Sequence, residues 1–450
     1  SSLSLYFLIF IFGLFDGTVH LLPVVVLVSF CHSSKAEKMD LELSTIDPPS
    51  SPLLSKSQSH FSTSSASESS SGTETSEVHS PVSPFGFERL AGPFPFPTKS
   101  LSGLFAYREL SVLSDHLGPV SSLAQCGEFI LSASQGNDIV VWQQPDMRLF
   151  ARFGQGDGAV KSMIAAENKV FTAHQDSKIR LWKVSRSSEN VFKLFGSLPT
   201  TKDVLVKFMN QTNYVEIRRH HKKLWIEHAD SISCLRISNG LLYSGSWDKT
   251  IKVWRLSDFK CLESIKAHGD AINGMVACKG VIYSASADGK IMVWGKEKKG
   301  SLIKHCLKGV LEAKKGVSIN AIVASEDGKW VYGGTSNGFV MGWEGCEDLT
   351  RWKLVCEMKA HKMAVLCMSL KDEILCSGSA DKTIAIWQRE VYGKISKIGV
   401  ICGHEGPVKC LQTSPNSFGG GFCLYSGSVD RTMRAWWLPK SPPKVDESSL

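Results

Sequence analysis

LYSGSWDKTIKVW, residues 242–254, decides the fold of this chain, because the same pattern recurs along most of its length. Each copy ends in a tryptophan, and the seven are Trp142, Trp182, Trp254, Trp294, Trp343, Trp387 and Trp436. Five of the six spacings are 40–49 residues, and the spacing from Trp182 to Trp254 is 72. A repeat of about 40–45 residues that ends in tryptophan is typical of a propeller blade built from four short strands.

The seven copies predict an all-β fold in which residues 101–440 form one seven-bladed β-propeller. The chain has 450 residues, and its 43% hydrophobic and 21% charged residues are typical of a globular domain. The last copy reaches only the third strand of its blade, so the fourth must come from elsewhere. We expect Leu104–Val112 to supply it, which would close the ring without an open edge.

Four copies carry a histidine, a serine, an aspartate and the tryptophan at matching positions. The four sets are His228/Ser244/Asp248/Trp254, His268/Ser284/Asp288/Trp294, His361/Ser377/Asp381/Trp387 and His404/Ser426/Asp430/Trp436. A single Ser/His/Asp set looks like the triad of a hydrolase. Its fourfold repetition at the period of the scaffold indicates a structural role, so we predict no catalytic residue.

The repeats resemble the WD40 family over about residues 101–440. The resemblance implies that each set is a hydrogen-bonded tetrad, with the aspartate in the turn between the second and third strands. Three copies depart from this pattern. The first keeps His116, Ser132 and Trp142 with Gly136 at the aspartate position; the second has Gly156 for histidine and keeps Thr172, Asp176 and Trp182; the fifth keeps only Trp343, with Lys315, Gly333 and Asn337. We therefore expect the fifth blade to be the least tightly held.

The long spacing after Trp182 marks an insertion at about residues 185–221 in the second blade. Because Lys223-Leu224-Trp225-Ile226 matches a fourth strand, we expect the insertion between the third and fourth strands, at the end opposite the tetrad turns. Its Leu198-Pro199-Thr200 and Tyr214-Val215-Glu216 elements resemble plant WD40 proteins of the Jingubang type. That resemblance implies a regulatory, non-enzymatic plant protein and identifies no partner.

The net charge of +8 is concentrated in this insertion, because residues 183–227 hold nine basic and four acidic residues. Its basic run contains Arg218, Arg219, Lys222 and Lys223. The run would attract an acidic partner or serve nuclear import, or it is simply a solvated loop. The aromatic residues needed for base stacking are few, so we do not expect nucleic acid as a partner.

The N-terminal residues differ from the repeats in composition. Residues 1–38 include an apolar run from Leu5 to Phe30, but the chain begins with Ser1 and its first methionine is Met39. We expect residues 1–38 not to be part of the mature protein; a genuine membrane anchor at residues 5–30 is the alternative. Without such an anchor we expect no membrane partner.

Residues 39–100 are rich in serine and proline, with 15 serines between positions 41 and 80. Such a segment buries too little apolar surface to offset its ordering entropy, so we predict a disordered arm. We also predict a disordered tail at 441–450. Ser51, Ser80 and Ser83 precede prolines and are candidate phosphorylation sites, unless the arm is a passive polar tail.

Side chains beside the tetrads should form a partner-binding face. The candidates are Trp247, Gln135, Gln175, Asp230, Asp270, Met363 and Glu405. Trp247 precedes the turn aspartate Asp248, and an exposed tryptophan there would anchor a partner. The other interpretation is that Trp247 packs flat on the neighbouring blade.

These observations favour a monomeric, intracellular protein of the cytoplasm or nucleus that acts as an interaction scaffold. The thirteen cysteines show no Cys-x-x-Cys spacing, so we expect no metal site, and we expect no cofactor. One alternative is a substrate-receptor adaptor of a ubiquitin ligase, although no blade carries the Trp-Asp-x-Arg that the resemblance associates with that role. An enzyme with a central-channel site is the other alternative.

Overall fold

The computed structural model describes residues 4–15, 18–29, 105–136, 138–154, 158–185, 191–218, 221–299, 302–346 and 348–440. Two compact units divide the chain, Ser1–Val82 and Ser83–Leu450. In the first unit, β1 (Ser4–Phe15) pairs antiparallel with β2 (Thr18–Ser29). The predicted arm at 39–100, the tail at 441–450, and Ser51, Ser80 and Ser83 lie outside the described residues.

The second unit contains seven antiparallel sheets of four strands each, which confirms the predicted seven-bladed propeller. Blades 1 and 2 comprise β4 (Val120–Cys126), β5 (Phe129–Ser134), β6 (Ile139–Gln143), β7 (Arg148–Phe153), β8 (Val160–Ala166), β9 (Lys169–His174), β10 (Ile179–Val184) and β11 (Phe192–Leu198). Blades 3 and 4 comprise β14 (Ile232–Ser238), β15 (Leu241–Ser246), β16 (Thr250–Arg255), β17 (Cys261–Lys266), β18 (Ile272–Cys278), β19 (Val281–Ser286), β20 (Lys290–Lys299) and β21 (Leu302–Glu312).

Blades 5 and 6 comprise β22 (Ile319–Ala324), β23 (Trp330–Thr335), β24 (Phe339–Gly345), β25 (Trp352–Lys359), β26 (Val365–Lys371), β27 (Ile374–Ser379), β28 (Ile384–Arg389) and β29 (Ile395–Ile401). Blade 7 combines β30 (Val408–Phe418), β31 (Gly421–Ser428) and β32 (Met433–Pro439) with β3 (Arg108–Leu113) from the other end of the propeller sequence.

Ring closure is visible in the strand pairing. Strand β3 lies antiparallel to β32, with Arg108 opposite Trp437 and Leu113 opposite Met433, so its position agrees with the predicted closing strand. The first strands of successive blades are neighbours, and β30 lies beside β4. Each blade is thus covered on both faces, which explains why every residue of a second strand such as β5 is buried.

The hydrophobic core lies between blades. Tyr243 and Ile251 of blade 3 pack with Ile272 and Met275 of blade 4 in one cluster, and the other clusters join neighbouring blades in a similar way. In all seven blades a β-bulge shifts the register between the third and fourth strands next to the repeat tryptophan, as between Val253 and Trp254. The extra residue lies on the fourth strand, as Leu262 does in blade 3, and it bends that strand beside the tryptophan.

The insertion is not where the sequence predicted it. The fourth strand of blade 2 is Phe192–Leu198, and Leu198 lies opposite Ile179 of the third strand. The prediction failed because two apolar segments compete for this position. Phe192 and Leu198 are buried in blade 2, whereas Lys223–Ile226 belongs to a separate hairpin.

The extra residues, 199–227, therefore connect blade 2 to blade 3 and begin and end at the tetrad-turn end. They form α1 (Thr201–Phe208), a 3-10 turn at Gln211–Asn213, and a hairpin of β12 (Tyr214–Arg218) and β13 (His221–Leu224). The insertion is anchored on blade 3, because Lys252 Nζ donates a hydrogen bond of 2.6 Å to the carbonyl of Trp225. Leu224 and Ile226, on either side of Trp225, are buried.

Candidate interaction surface

The four predicted tetrads are assembled as hydrogen-bonded chains. In blade 3, Trp254 Nε1 donates to Ser244 Oγ at 2.9 Å, and Ser244 Oγ lies 2.8 Å from His228 Nε2. His228 Nδ1 lies 2.8 Å from Asp248 Oδ2, so the imidazole donates to the carboxylate and accepts from the serine hydroxyl. The corresponding contacts in blades 4, 6 and 7 measure 2.7–3.1 Å.

Burial keeps the tetrad histidines neutral. Burial lowers the pKa of His228 and outweighs the Asp248 carboxylate, which acts to raise it. The same balance lowers the pKa of His268, His361 and His404. Burial raises the pKa of Asp248, but the imidazole, the Thr250 hydroxyl and the Ala229 amide together hold it below its usual value.

These sets cannot act as hydrolase triads. Ser244, Ser284, Ser377 and Ser426 are completely buried, so no substrate carbonyl could approach their hydroxyls. Each serine oxygen also accepts the tryptophan hydrogen bond. The tetrads therefore stabilise the blades and fix the turns between second and third strands.

Blade 2 contains a substitute histidine that sequence reasoning missed. His174 Nε2 lies 2.8 Å from Thr172 Oγ1, which accepts a 3.0 Å hydrogen bond from Trp182 Nε1. His174 Nδ1 is 3.1 Å from the carbonyl of Gly158, while Asp176 pairs with Arg180 at 2.6 Å. The signal was present in the sequence, because His174 occupies the second-strand position where five blades have serine and blade 5 has threonine.

Blade 1 has an incomplete substitute for its aspartate. His116 Nε2 and Trp142 Nε1 each lie 2.7 Å from Ser132 Oγ, as in a complete tetrad. Asp138, two residues beyond the predicted Gly136, brings Oδ2 only to 3.9 Å from His116 Nδ1. Both atoms are buried without a hydrogen-bond partner, and burial lowers the pKa of His116 to about 4.

Blade 5 has no tetrad hydroxyl, as its sequence predicts. The ring of Trp343 occupies the space beside Gly333, where a Cβ would lie 3.2 Å from Cζ3. At the turn, Thr335 Oγ1 donates to Asn337 Oδ1 at 2.6 Å and accepts from the amide of Phe339 at 3.0 Å. A local threonine–asparagine contact thus replaces the histidine–aspartate contact.

The predicted partner-binding residues are exposed. All seven candidate side chains are accessible to solvent: Trp247, Gln135, Gln175, Asp230, Asp270, Met363 and Glu405. Trp247 is 43% exposed, and Lys161 Nζ of blade 2 lies 5.7 Å from the centre of its ring. Trp247 therefore contacts the neighbouring blade and also presents a large aromatic surface to solvent.

The insertion exposes a second apolar surface. Leu205, Val206, Phe208, Met209 and Val215 are 52–86% exposed, and no residue of α1 is buried. The helix is held from its other side, because Lys207 Nζ lies 4.8 Å from the centre of the Trp225 ring. An apolar surface held outward in this way is typical of an interaction site.

Only part of the predicted basic run can be placed. Lys222 is exposed, and Lys223 Nζ donates to the carbonyl of His228 at 3.3 Å. The side chains of Arg218 and Arg219 lie outside the described residues. Within the described ranges no group of three or more potential ligands could hold a metal ion, and no helix is long and apolar enough to cross a membrane.

Comparison with protein families finds one matching family model, WD40, described as "WD domain, G-beta repeat". It matches residues 107–143, 220–255, 259–295, 352–388 and 395–436. The stretches between the matches include the second and third strands of blades 2 and 5. Neither of those blades carries the complete serine–histidine–aspartate set.

Among curated proteins, the chain is 29% identical over 111 residues to "Zinc finger CCCH domain-containing protein 59" of Arabidopsis thaliana, covering 25% of this chain and 18% of the relative. It is 24% identical over 220 residues to "Small ribosomal subunit protein RACK1y" of Oryza sativa subsp. japonica, covering 46% and 48%. It is 26% identical over 233 residues to "Nuclear distribution protein nudF" of Aspergillus niger, covering 47% and 40%. The chain thus spans less than half the length of each of these relatives.

Proposed function

We propose that this chain, a WD40-repeat protein folded as a seven-bladed propeller, is a non-enzymatic scaffold that binds other proteins in the regulation of a plant cell. The single observation that carries the proposal is Trp247, a tryptophan 43% exposed at the tetrad-turn end of a rigid ring. Tryptophan is prominent among the residues that dominate binding energy at protein interfaces. Relatives from Arabidopsis thaliana and Oryza sativa and the Jingubang-type resemblance support the plant context.

The insertion offers a second contact surface for the same function. Its exposed apolar side chains extend the binding surface beyond the ring, beside blade 3. Because blade 3 carries both Trp247 and the anchor of the insertion, one partner could contact both. Loss of either surface should then weaken capture of the same protein.

Affinity capture from plant cells tests the proposal with four baits. These are the intact chain, Trp247→Ala, the double variant Phe208→Asp/Met209→Asp, and Tyr392→Ala as the matched control. Tyr392 is 79% exposed at the opposite end of the ring, so its removal changes exposed aromatic area without touching the proposed surface. We expect the same protein to be lost with Trp247→Ala and retained with Tyr392→Ala.

The captured protein is then purified and titrated against each variant by calorimetry. Removing an anchor tryptophan should weaken binding by about 2 kcal/mol or more. Unchanged affinity for Trp247→Ala, with an unfolding midpoint equal to that of the intact chain, would refute the proposed surface. Point variants are preferable to deletion of residues 187–221, because that deletion would remove the fourth strand of blade 2.

A further inference from the structure

The central channel of the propeller is positively charged. It is a cavity of about 1310 Å³ lined by the first strands of the blades. Four cations line it, Lys161, Arg236, Lys371 and Lys409, against one carboxylate, Glu128. A cleft lined by one sign of charge between low-dielectric walls focuses its field and concentrates counter-ions.

Three of these cations have no carboxylate partner among the described residues. Arg236 donates from Nη1 to the carbonyl of Leu235 at 2.7 Å, and Lys161 lies against the Trp247 ring. Burial lowers the pKa of both side chains, and the charge of Lys409 lowers that of Lys161 further. Lys371 alone has a nearby acid, Asp372, at 3.7 Å. Lys161 and Arg236 are half-buried, whereas Lys409 is exposed, so a bound anion would offset the cost of holding the first two cations away from water.

The two lysines also depart from the pattern of the ring. Lys161 and Lys409 are the second residues of β8 and β30, which flank β4 at the tetrad-end mouth of the channel. At this position Ser121, Ser233, Asn273 and Asn320 each donate a hydrogen bond to a carbonyl of the next first strand. Lys161 and Lys409 have an ammonium group at this position instead of a neutral hydrogen-bond donor, and they lie on either side of Ser121.

Arg236 lies deeper in the channel. It is three residues beyond Ser233 on β14, so it lies about 10 Å further along the channel at a rise of about 3.3 Å per residue. A ligand that contacts both the mouth and Arg236 must therefore carry more than one anionic group. Phosphate groups match this requirement, because lysine and arginine both bind them through charge-assisted hydrogen bonds.

We propose that the central channel binds a polyvalent, phosphate-bearing anion, which contacts Lys161 and Lys409 at the tetrad-end mouth and Arg236 inside. Binding forms and breaks no covalent bond. The anion is either a small polyphosphorylated molecule or a phosphorylated segment of a partner protein. This site does not depend on the proposed scaffold function, because a chain that captures no protein could still bind the anion.

Calorimetric titration of the full chain tests the proposal with two probes. One is sodium tripolyphosphate, and the other is a peptide with two phosphoserines, measured beside its unphosphorylated form. We expect at least one anionic probe to bind, and the stronger probe identifies the source of the phosphate. If neither probe binds at low ionic strength, or if the unphosphorylated peptide binds equally well, the proposal is overturned.

Variants locate the binding. Lys161→Met/Lys409→Met should weaken binding of the probe by about tenfold or more, since each charge-assisted hydrogen bond contributes measurably. Lys382→Met is the matched control, an exposed cation at a tetrad turn outside the channel, and it should leave affinity unchanged. An equal loss in the control would indicate general attraction to a basic surface and would overturn the proposal.

A footprint on the intact chain avoids any effect of substitution on folding. Acetylation with a lysine reagent, read by mass spectrometry, reports the accessibility of each amine with and without tripolyphosphate. We expect the probe to protect Lys161 and Lys409 and to leave Lys382 unprotected. Equal protection of all three lysines, or protection of none, contradicts the proposed site.

Discussion

Blades 3 and 5 have the same four-stranded architecture but are held by different side chains. Blade 3 is fixed at its tetrad-turn end by the chain from Trp254 through Ser244 and His228 to Asp248. Blade 5 has Gly333 at the serine position and is fixed at its opposite end. There, Ser325 Oγ accepts from the amide of Trp330 at 2.9 Å.

The opposite-end anchor of blade 5 reaches into blade 6. Tyr332 Oη donates to the carbonyl of Gly393 at 2.8 Å, and Trp330 packs against the same glycine. Tyr332 is completely buried and Trp330 nearly so. The blade fold therefore follows from apolar strands and ring closure, whereas the polar anchor can be at either end of a blade.

The largest expected effect comes from breaking the anchor of blade 3. Ser244→Ala leaves His228 Nε2 and Trp254 Nε1 buried without their shared partner, at a cost of about 1–3 kcal/mol for each group. Urea unfolding followed by tryptophan fluorescence measures the loss. Ser417→Ala, at an exposed position, is the control and should be nearly neutral. If the two variants have the same free energy of unfolding, the tetrad does not stabilise blade 3.

A somewhat smaller effect is expected from breaking the anchor of blade 5. Gly393 has a φ of +70°, and a Cβ there would lie 2.0 Å from Cε3 of Trp330. Gly393→Ala must therefore displace the tryptophan, and overpacking of this kind costs about 1–3 kcal/mol. Gly420→Ala is the matched control, because its φ is +74° and nothing lies within 4 Å of its Cβ. Thermal unfolding should show a lower midpoint for Gly393→Ala than for Gly420→Ala; the reverse order would argue against the Trp330 anchor.

The smallest expected effect is on the pH dependence of stability, and it comes from His174 in blade 2. Burial lowers the pKa of His174 to about 4, although the Gly158 carbonyl acts to raise it. Between an unfolded pKa of about 6.5 and this folded value, the unfolded chain binds a proton that the folded chain does not. The contribution of His174 is therefore fully present above about pH 6.5 and is lost as the pH falls towards 4.

Unfolding free energies at pH 7.5 and 4.5 check this sign. We expect His174→Gln to be less sensitive to the change than the intact chain, because it lacks one of the depressed histidines. His116 in blade 1 has the same low pKa and remains in both proteins, so some pH dependence persists. An identical pH dependence in the two proteins would show that His174 does not contribute.

The repeats could be predicted from the sequence, because each tetrad needs particular residue types at fixed offsets and the ring needs a closing strand. The place of the insertion could not be predicted, because two neighbouring segments have the pattern of a fourth strand. Phe192–Leu198 and Lys223–Ile226 both read as a fourth strand, and only burial in blade 2 distinguishes them. His174 does not follow from the repeat pattern, because the tetrad histidine of the other blades precedes the first strand. The surroundings of Trp247 depend on Lys161 of another blade, which no local pattern contains.

Native-state hydrogen exchange tests the central comparison most directly. In blade 3 the amide of Thr250 donates to Asp248 Oδ1, whose carboxylate is held by His228; in blade 5 the amide of Phe339 donates only to the nearby Thr335 hydroxyl. Mass spectrometry of peptides from 241–256 and 330–345 compares the two turns. We predict faster exchange at the turn of blade 5, since its opening breaks only local contacts. Exchange as slow as in blade 3, or slower, would contradict the claim that the tetrad end of blade 5 is the less tightly held.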